Sequence, residues 1–477
     1  MFQRSSSYLA ALALAALTCC SASAAPHRTL ARIHVSDNHR FLVQDNGKMF
    51  FYLGDTAWEL FHRLNRADAI RYLDTRAAQG YTVIQAVALA EEDGITVPNA
   101  YGHLPLIDRN PTRPAITPGS NPKNQQQYDY WDHVDYIIDQ ANQRGLYIGL
   151  LPTWGRWVVK DKNESIFTPA SAQTYGEFLG KRFRNKGVIW ILGGDRKAEG
   201  VEDIWRAMAK GIAVGVNGRE DYNGVLITFH PNGGGTSSKW FHNDPWLAFN
   251  MQQDGHGIPG VSQSWKKIEH DYTLNPPKPV IDGEPLYEDH PLNFNSKLNG
   301  YSFDAHVRKY LYWDLFSGAC GHTYGNHAVW QFYAPGRAPI NGPLMYWYEA
   351  VQRPGAREMQ YARYLLESRA PLTRVPDQTL VTDELEGVNH IAATRGDGYA
   401  FIYTAEGRPF TVNMGKISGT RVKCSWFNPR SGDSYSVGEF DNTGQRLFTP
   451  PSIGFGSDWV LILDDASKHF AAASFSN

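Results

Sequence analysis

Two short runs constrain the fold of this chain more than any other feature: GVIWILGGD, which ends at Asp195, and PVIDGEP, which contains Glu284. Each is apolar and rich in β-branched residues, breaks into glycine, and then presents an acid. An unbroken apolar run of strand length is the signature of a parallel strand covered on both faces. An acid just past its end lies at the C-terminal rim of the sheet. In a (β/α)8 barrel that rim gathers the eight βα loops and carries the catalytic residues. Asp195 and Glu284 are 89 residues apart, a spacing that suits the fourth and seventh strands. Either acid alone also suits the cap of a following helix. Two of them in the same setting point instead to one shared cleft.

The rest of the chain supplies the alternation that a barrel needs. Asp45-Asn46-Gly47 is a hairpin turn, and the strand after it runs into Gly54-Asp55-Thr56. RADAIRYLDTRAAQG sets Ala69, Ile70, Leu73 and Ala77 on one helical face and stops at Gly80. Strands follow in YTVIQAVAL, LYIGLLPTW, GVLITFHP, WLAFNMQQDGHG and GACGHTYGNHAVW, with helices between them. One of these helices opens on Thr168 as cap and Pro169 at its first position. Residues 91–128 form a polar, proline-rich loop, longer than a connector needs, and are expected to line substrate. From about residue 375 short alternating runs between GDG, EGR, SGD and NTG turns predict an antiparallel β-sandwich. The expected division is a leader over 1–24, a (β/α)8 TIM barrel over 25–370 and a β-sandwich over 375–477, with a helix at about 354–368 as the hinge.

The leader reading rests on Arg4, the apolar stretch YLAALALAALT and the cleavage pattern Ala22-Ser23-Ala24. That stretch is too short to span a bilayer, so export to the periplasm or the exterior is expected. Cys19 and Cys20 raise lipid attachment as an alternative, although Leu17 and Thr18 make a poor attachment box. Removal of the leader leaves Cys320 and Cys424, which form no disulfide framework. A formal charge of −2 argues against a nucleic-acid or anionic-membrane partner. The aromatic share is 13%, with 14 Trp and 25 Tyr, and such flat rings suit sugar faces as well as the core of a large barrel.

Two rim carboxylates are the minimum equipment for cleaving a glycosidic bond, one as proton donor and one as nucleophile or base. Retention asks for a carboxyl separation of about 5–5.5 Å and inversion for about 6.5–9.5 Å. Asp282 shares a strand face with Glu284 and is read as its support. Asp55 is a candidate acceptor for a sugar hydroxyl or a turn cap. His230, Gln252, Asp254 and His256 sit at neighbouring strand ends, where they suit sugar hydroxyls. They lack the spacing of a metal motif, so neither metal nor cofactor is expected. Gly233-Gly234-Gly235-Thr236 has no Lys and is not a phosphate loop. Trp58, Trp154, Trp157 and Trp330 are stacking candidates or core, Arg156 follows Trp154, and His322, Tyr324 and His327 close the last strand.

As a set, FYLGDTAWELFHRL, VIWILGGD, FHPNGGGTSS with Trp240 behind it, and VIDGEPLYE resemble the apiosidase-like catalytic domain of glycoside hydrolase family 140. The C-terminal stretch resembles the collagen-binding-type module that accompanies it. The resemblance implies a barrel of the clan A type and a retaining mechanism, with Asp195 as acid/base and Glu284 as nucleophile. It further implies cleavage of apiosyl linkages in rhamnogalacturonan II, so the expected partner is a plant polysaccharide or oligosaccharide. One departure is that the wider clan places Asn-Glu after the fourth strand, whereas this chain has Gly194-Asp195. Asp is one methylene shorter, so the barrel must bring its backbone closer. Another sugar, or a non-catalytic carbohydrate- or matrix-binding role, is the alternative. The sequence does not define the oligomeric state.

Overall fold

In the computed structural model residues 30–159 and 164–475 are described; the expected leader over 1–24 lies outside them. An antiparallel hairpin, β1 (Ile33–Val35) with β2 (Leu42–Gln44), precedes the barrel. Eight parallel strands follow: β3 (Tyr52–Thr56), β4 (Val83–Val87), β5 (Tyr147–Leu151), β6 (Val188–Gly193), β7 (Ile227–His230), β8 (Asn250–Gln252), β9 (Val280–Asp282) and β10 (Gly321–Tyr324). Sequential neighbours pair from β3 to β7 and from β8 to β10, and β10 returns to β3 with Gly321 opposite Tyr52. Between β7 and β8 the seam closes through Ala248 N–H to Ile227 O at 2.8 Å and Thr228 Oγ1 to Phe249 O at 2.7 Å. The fold is therefore a (β/α)8 barrel, and Asp195 and Glu284 follow its fourth and seventh strands.

The strands read as apolar runs because both faces are covered: VIQAV and YIGLL are buried at every position. The helices begin where side chains satisfy their free N–H groups. Asn65 accepts from Asp68 N–H at 2.9 Å ahead of the helix Arg66–Ala78. Thr168 and Ser171 cap each other's backbone ahead of Pro169–Phe183.

Beyond the helix Pro354–Glu367 the chain turns to antiparallel strands. These are β11 (Val375–Pro376), β12 (Ile391–Gly396), β13 (Tyr399–Thr404), β14 (Phe410–Asn413), β15 (Arg421–Phe427), β16 (Ser434–Asp441), β17 (Gln445–Phe448) and β18 (Trp459–Asp465). Six form a sheet in the order β11-β12-β13-β18-β15-β16, and β14 pairs β17 separately. One face of the large sheet, with Ile402, Val422 and Leu461, packs on Phe410 and Phe448 of the small one. The other face, with Phe401, Tyr403, Val460 and Ile462, joins the core of the barrel. The second layer of this sandwich is thus two strands on one side and the barrel helix Asp304–Phe316 on the other. Burial on both faces explains why β13 and β18 are buried throughout, although antiparallel strands usually alternate.

Tyr312 stacks on Tyr403 at 4.8 Å across this boundary. Beside it the buried Arg308 reaches Asp458 at 3.0 Å, Asp304 at 2.6 Å and Glu358 at 2.5 Å. Removing one partner of a buried ion pair leaves the other charge stranded, at a cost of about 3–5 kcal/mol. Arg308→Ala is therefore expected to lower the free energy of unfolding by that margin and the midpoint of chemical denaturation with it. A variant that unfolds at the wild-type midpoint would show that this bridge does not join the two regions. Among the described residues no helix is long and apolar enough to cross a membrane.

Candidate active site

Strand β6 ends in three successive left-handed residues, Gly193 (φ +88°), Gly194 (φ +124°) and Asp195 (φ +49°). Gly194 N–H donates to His230 O at 3.0 Å, which draws this turn against β7. A Cβ on Gly193 would stand 2.2 Å from His230 O, and one on Gly194 would stand 2.8 Å from the Trp154 ring. Only glycine fits a backbone pressed this closely on both sides. Asp195 adopts the same conformation with a side chain, at a cost of roughly 1–2 kcal/mol, strain of the kind that concentrates at functional sites. The turn brings its carboxyl into a cleft of about 520 Å³ that Glu284 also lines.

Glu284 is placed by the end of β9. Its N–H donates to Asp282 Oδ1 at 3.1 Å, while Gln252 Nε2 donates to Asp282 Oδ2 at 3.2 Å. Gly283 lies flat on Met251, where a Cβ would come within 2.4 Å of the sulfur. His230 Nε2 stands 3.1 Å from Oε2 of Glu284 and His256 Nε2 stands 3.2 Å from Oε1. Burial alone would raise the pKa of this carboxyl. The hydrogen bonding and positive charge of the two imidazoles outweigh it and hold the group at about 2.

Asp195 is displaced the other way. Its pKa is raised, first by loss of solvent and then by the negative charge of Glu284, against the lowering effects of Arg196, Gln253 and His230. Gln253 Nε2 donates to Asp195 Oδ1 at 3.0 Å, and Arg196 Nη1 lies 3.1 Å from Oδ2. His230 also stands between the two acids, with its Nδ1 3.3 Å from Asp195 N and 3.0 Å from Pro231 O. One cleft thus holds a carboxylate kept ionised and a carboxyl biased toward its protonated form, the division of labour that acid-assisted displacement requires.

The profile of the apiosidase-like catalytic domain matches residues 36–373. The chain belongs to the apiosidase-like family. Residues 375–464 match a family labelled a collagen-binding domain of a collagenase. A solved structure titled glycoside hydrolase is 35% identical, covers 92% of this chain and 98% of its own, and superposes with a TM-score of 0.82. A glycoside hydrolase family 5 protein from Bacteroides vulgatus is 33% identical, with coverage of 93% and 95% and a TM-score of 0.83. A further Bacteroides vulgatus structure shares the fold at 15% identity and a TM-score of 0.63, with coverage of 92% and 83%. No curated protein matches. The family and these relatives make the chain a glycoside hydrolase.

In this apiosidase-like cleft Trp58, Trp154 and Trp330 form aromatic walls, and His256 and Asp254 line it with the two acids. His230 supports Glu284 from behind. The remaining candidates sit elsewhere. Asp55 is fully buried, takes Arg76 Nε at 2.7 Å and the Tyr72 hydroxyl, and so serves the barrel wall rather than a sugar hydroxyl. Gln252 points at Asp282 inside the barrel. His322 is buried 3.1 Å from Asp314, and the Tyr324 hydroxyl donates to Glu288 at 2.6 Å. Arg156 lies behind the cleft wall, paired with Glu164 at 2.6 Å, and Trp157 binds Ala90 O at 2.9 Å. His327 accepts from Trp330 Nε1 at 3.3 Å and supports that wall. Among the described residues no group of three or more His, Cys, Asp or Glu is placed to hold a metal ion.

Glu91, the first residue of the loop expected to line substrate, does line the cleft, and so do Gln253, Tyr287, His290 and Phe294, which no motif singled out. Tyr287 accepts from Trp58 Nε1 at 3.1 Å and so fixes one aromatic wall. These residues share a signal. Side chains within β3, β8 and β10 serve the barrel interior or its helix layer, whereas those past a strand end reach the rim.

Proposed function

We propose that this glycoside hydrolase is a retaining enzyme in which Glu284 is the nucleophile and Asp195 the acid/base. The observation that carries the division of roles is the seating of two acids past the fourth and seventh strands in one cleft, Glu284 between His230 and His256 and Asp195 on Gln253 and Arg196, while retention itself is what the family resemblance implies. The Glu284 carboxylate attacks the anomeric carbon as Asp195 gives its proton to the departing oxygen, and a glycosyl ester forms. Asp195, now ionised, takes a proton from water, whose oxygen attacks the same carbon. The ester bond breaks, the sugar leaves with its original configuration, and both acids return to their starting states. His230 and His256 keep Glu284 ionised before attack, and the three tryptophans supply flat apolar faces for sugar rings.

The substrate reading is an apiosyl linkage of plant pectin, rhamnogalacturonan II in particular, reached after export to the periplasm or the exterior. The family's description and the four motifs support the sugar, and the N-terminal pattern supports the export. A second sugar specificity on the same machinery is the competing reading. The test is incubation with a panel of plant glycans that includes apiose-capped oligosaccharides of rhamnogalacturonan II. Released sugars are identified, and their first-formed anomer is read by proton NMR. Apiose of retained configuration is expected. An inverted first product would overturn retention, and release of a different sugar would replace the substrate.

The pH dependence follows from the same two groups. Turnover needs Glu284 ionised and Asp195 protonated. With Glu284 held at about 2, its protonation limits activity only at strongly acid pH. Activity is therefore expected to fall on the alkaline side, as pH rises through the raised pKa of Asp195. A kcat/KM profile whose main loss lies between pH 5 and pH 4 would contradict this order.

A further inference from the structure

A third acid stands on the wall of the cleft where no motif pointed. Glu91 follows β4 at the barrel rim and lines the cleft with Asp195 and Glu284. Its carboxyl is 3.4 Å from Arg196 Nη2, and Nη1 of the same guanidinium is 3.1 Å from Asp195 Oδ2. One cation is thus shared between two carboxyl groups. The backbone that carries Glu91 is clamped from three sides. Ala90 O accepts from Trp157 Nε1 at 2.9 Å, Glu91 O accepts from Arg156 Nη1 at 3.0 Å, and Glu92 N–H donates to Glu59 Oε1 at 3.1 Å. This is why Arg156 and Trp157 lie behind the wall rather than in the cleft: they hold the segment that presents Glu91.

We propose that Glu91 is a positioning residue for the proton donor, drawing Arg196 toward itself so that the guanidinium does not fully neutralise Asp195. The inference rests on the acid/base reading of Asp195 and names the device that maintains it. A guanidinium given wholly to Asp195 would favour its carboxylate and strip the cleft of its proton. Split between two acids, it orients the Asp195 carboxyl while holding it less firmly in the ionised form. The other groups that bear on Asp195 are Glu284 from the end of β9, His230 from β7 and the neutral amide of Gln253. Those that bear on Glu91 are Asp195, Arg196, Glu92 and Glu59. Loss of solvent and then the Asp195 charge raise the pKa of Glu91 to about 8, so over the acid range in which Asp195 donates Glu91 meets Arg196 as a neutral carboxyl and holds the guanidinium by its hydrogen bond rather than by charge.

Two substitutions should move one quantity in opposite directions. Glu91→Ala removes the oxygen that holds Arg196 Nη2 and leaves the guanidinium to Asp195, so Asp195 should titrate lower. Arg196→Gln removes the shared cation, so Asp195 should titrate higher. The readout that needs no substrate is pH-difference infrared spectroscopy of the protonated carboxyl band, with the Asp195 component identified by its loss in Asp195→Asn. The alkaline limb of kcat/KM on apiose-capped oligosaccharides of rhamnogalacturonan II is the second readout and should shift in the same directions. An unmoved Asp195 midpoint in Glu91→Ala, or shifts of the same sign in both variants, would overturn the proposal. If Asp195→Asn leaves the alkaline limb of turnover in place, the donor reading fails instead, and the infrared midpoints still decide the role of Glu91.

Discussion

Glu284→Gln is expected to abolish hydrolysis, with a loss on the order of 10⁴–10⁶-fold, the scale on which removal of a covalent nucleophile acts. The amide keeps the shape of the carboxylate but has one acceptor oxygen in place of two and no charge to give the anomeric carbon. Its neighbours explain why so large a catalytic effect should leave the fold intact. The carboxylate is buried at a cost that His230 and His256 offset, so losing the charge also removes that burial penalty. What remains is one imidazole N–H without an acceptor, worth about 1–3 kcal/mol. The variant should keep the wild-type circular dichroism and bind the same glycans. Turnover within tenfold of wild type would remove Glu284 from the nucleophile role.

Asp195→Ala should separate the two acids by the leaving group it is asked to assist. Proton donation matters most when the departing oxygen is strongly basic. On a natural glycoside the loss should be on the order of 10²–10⁴-fold, while formation of the glycosyl ester from an aryl glycoside with an acidic phenol should suffer far less. Azide should then restore turnover on the aryl glycoside, because a small anion needs no general base, and its product should be the azide of retained configuration. Equal losses on both substrates without an azide product would exclude Asp195 as acid/base. An inverted azide would point to another nucleophile.

Much of this architecture was legible in the sequence because parallel strands announce themselves. Short apolar runs such as VIWILG and VIQAV, with β-branched residues, suit a sheet covered on both faces. The two acids were legible because each follows glycines at a strand end, and the three left-handed residues at 193–195 show the physical reason for that pattern. The finer site was not, for a reason of period. Gln252 and Gln253 are chemically identical neighbours, yet one ends inside the barrel on Asp282 and the other reaches Asp195. Where a three-residue strand such as β8 stops by one residue decides which side chain meets substrate, and sequence patterns place such ends only within a few residues. Asp55 misled in the same way: an acid near a strand end resembles a rim residue until Arg76, 21 positions later on the next helix, takes it as a buried partner. The C-terminal sheet was legible as hairpins, but the use of the barrel as its second layer depends on contacts between Tyr312 and Tyr403 that no local pattern records.

The central claim is that Glu284 forms a covalent bond with the sugar. The most direct measurement is mass spectrometry of the intact protein and of its peptides after exposure to an activated fluoro-glycoside of the released sugar, whose ester hydrolyses slowly. The account predicts one sugar per chain, carried on the peptide that contains Glu284, in wild type and in Asp195→Ala alike. A sugar attached to a different carboxylate, or no adduct in a preparation that hydrolyses its glycoside with inversion, would contradict it.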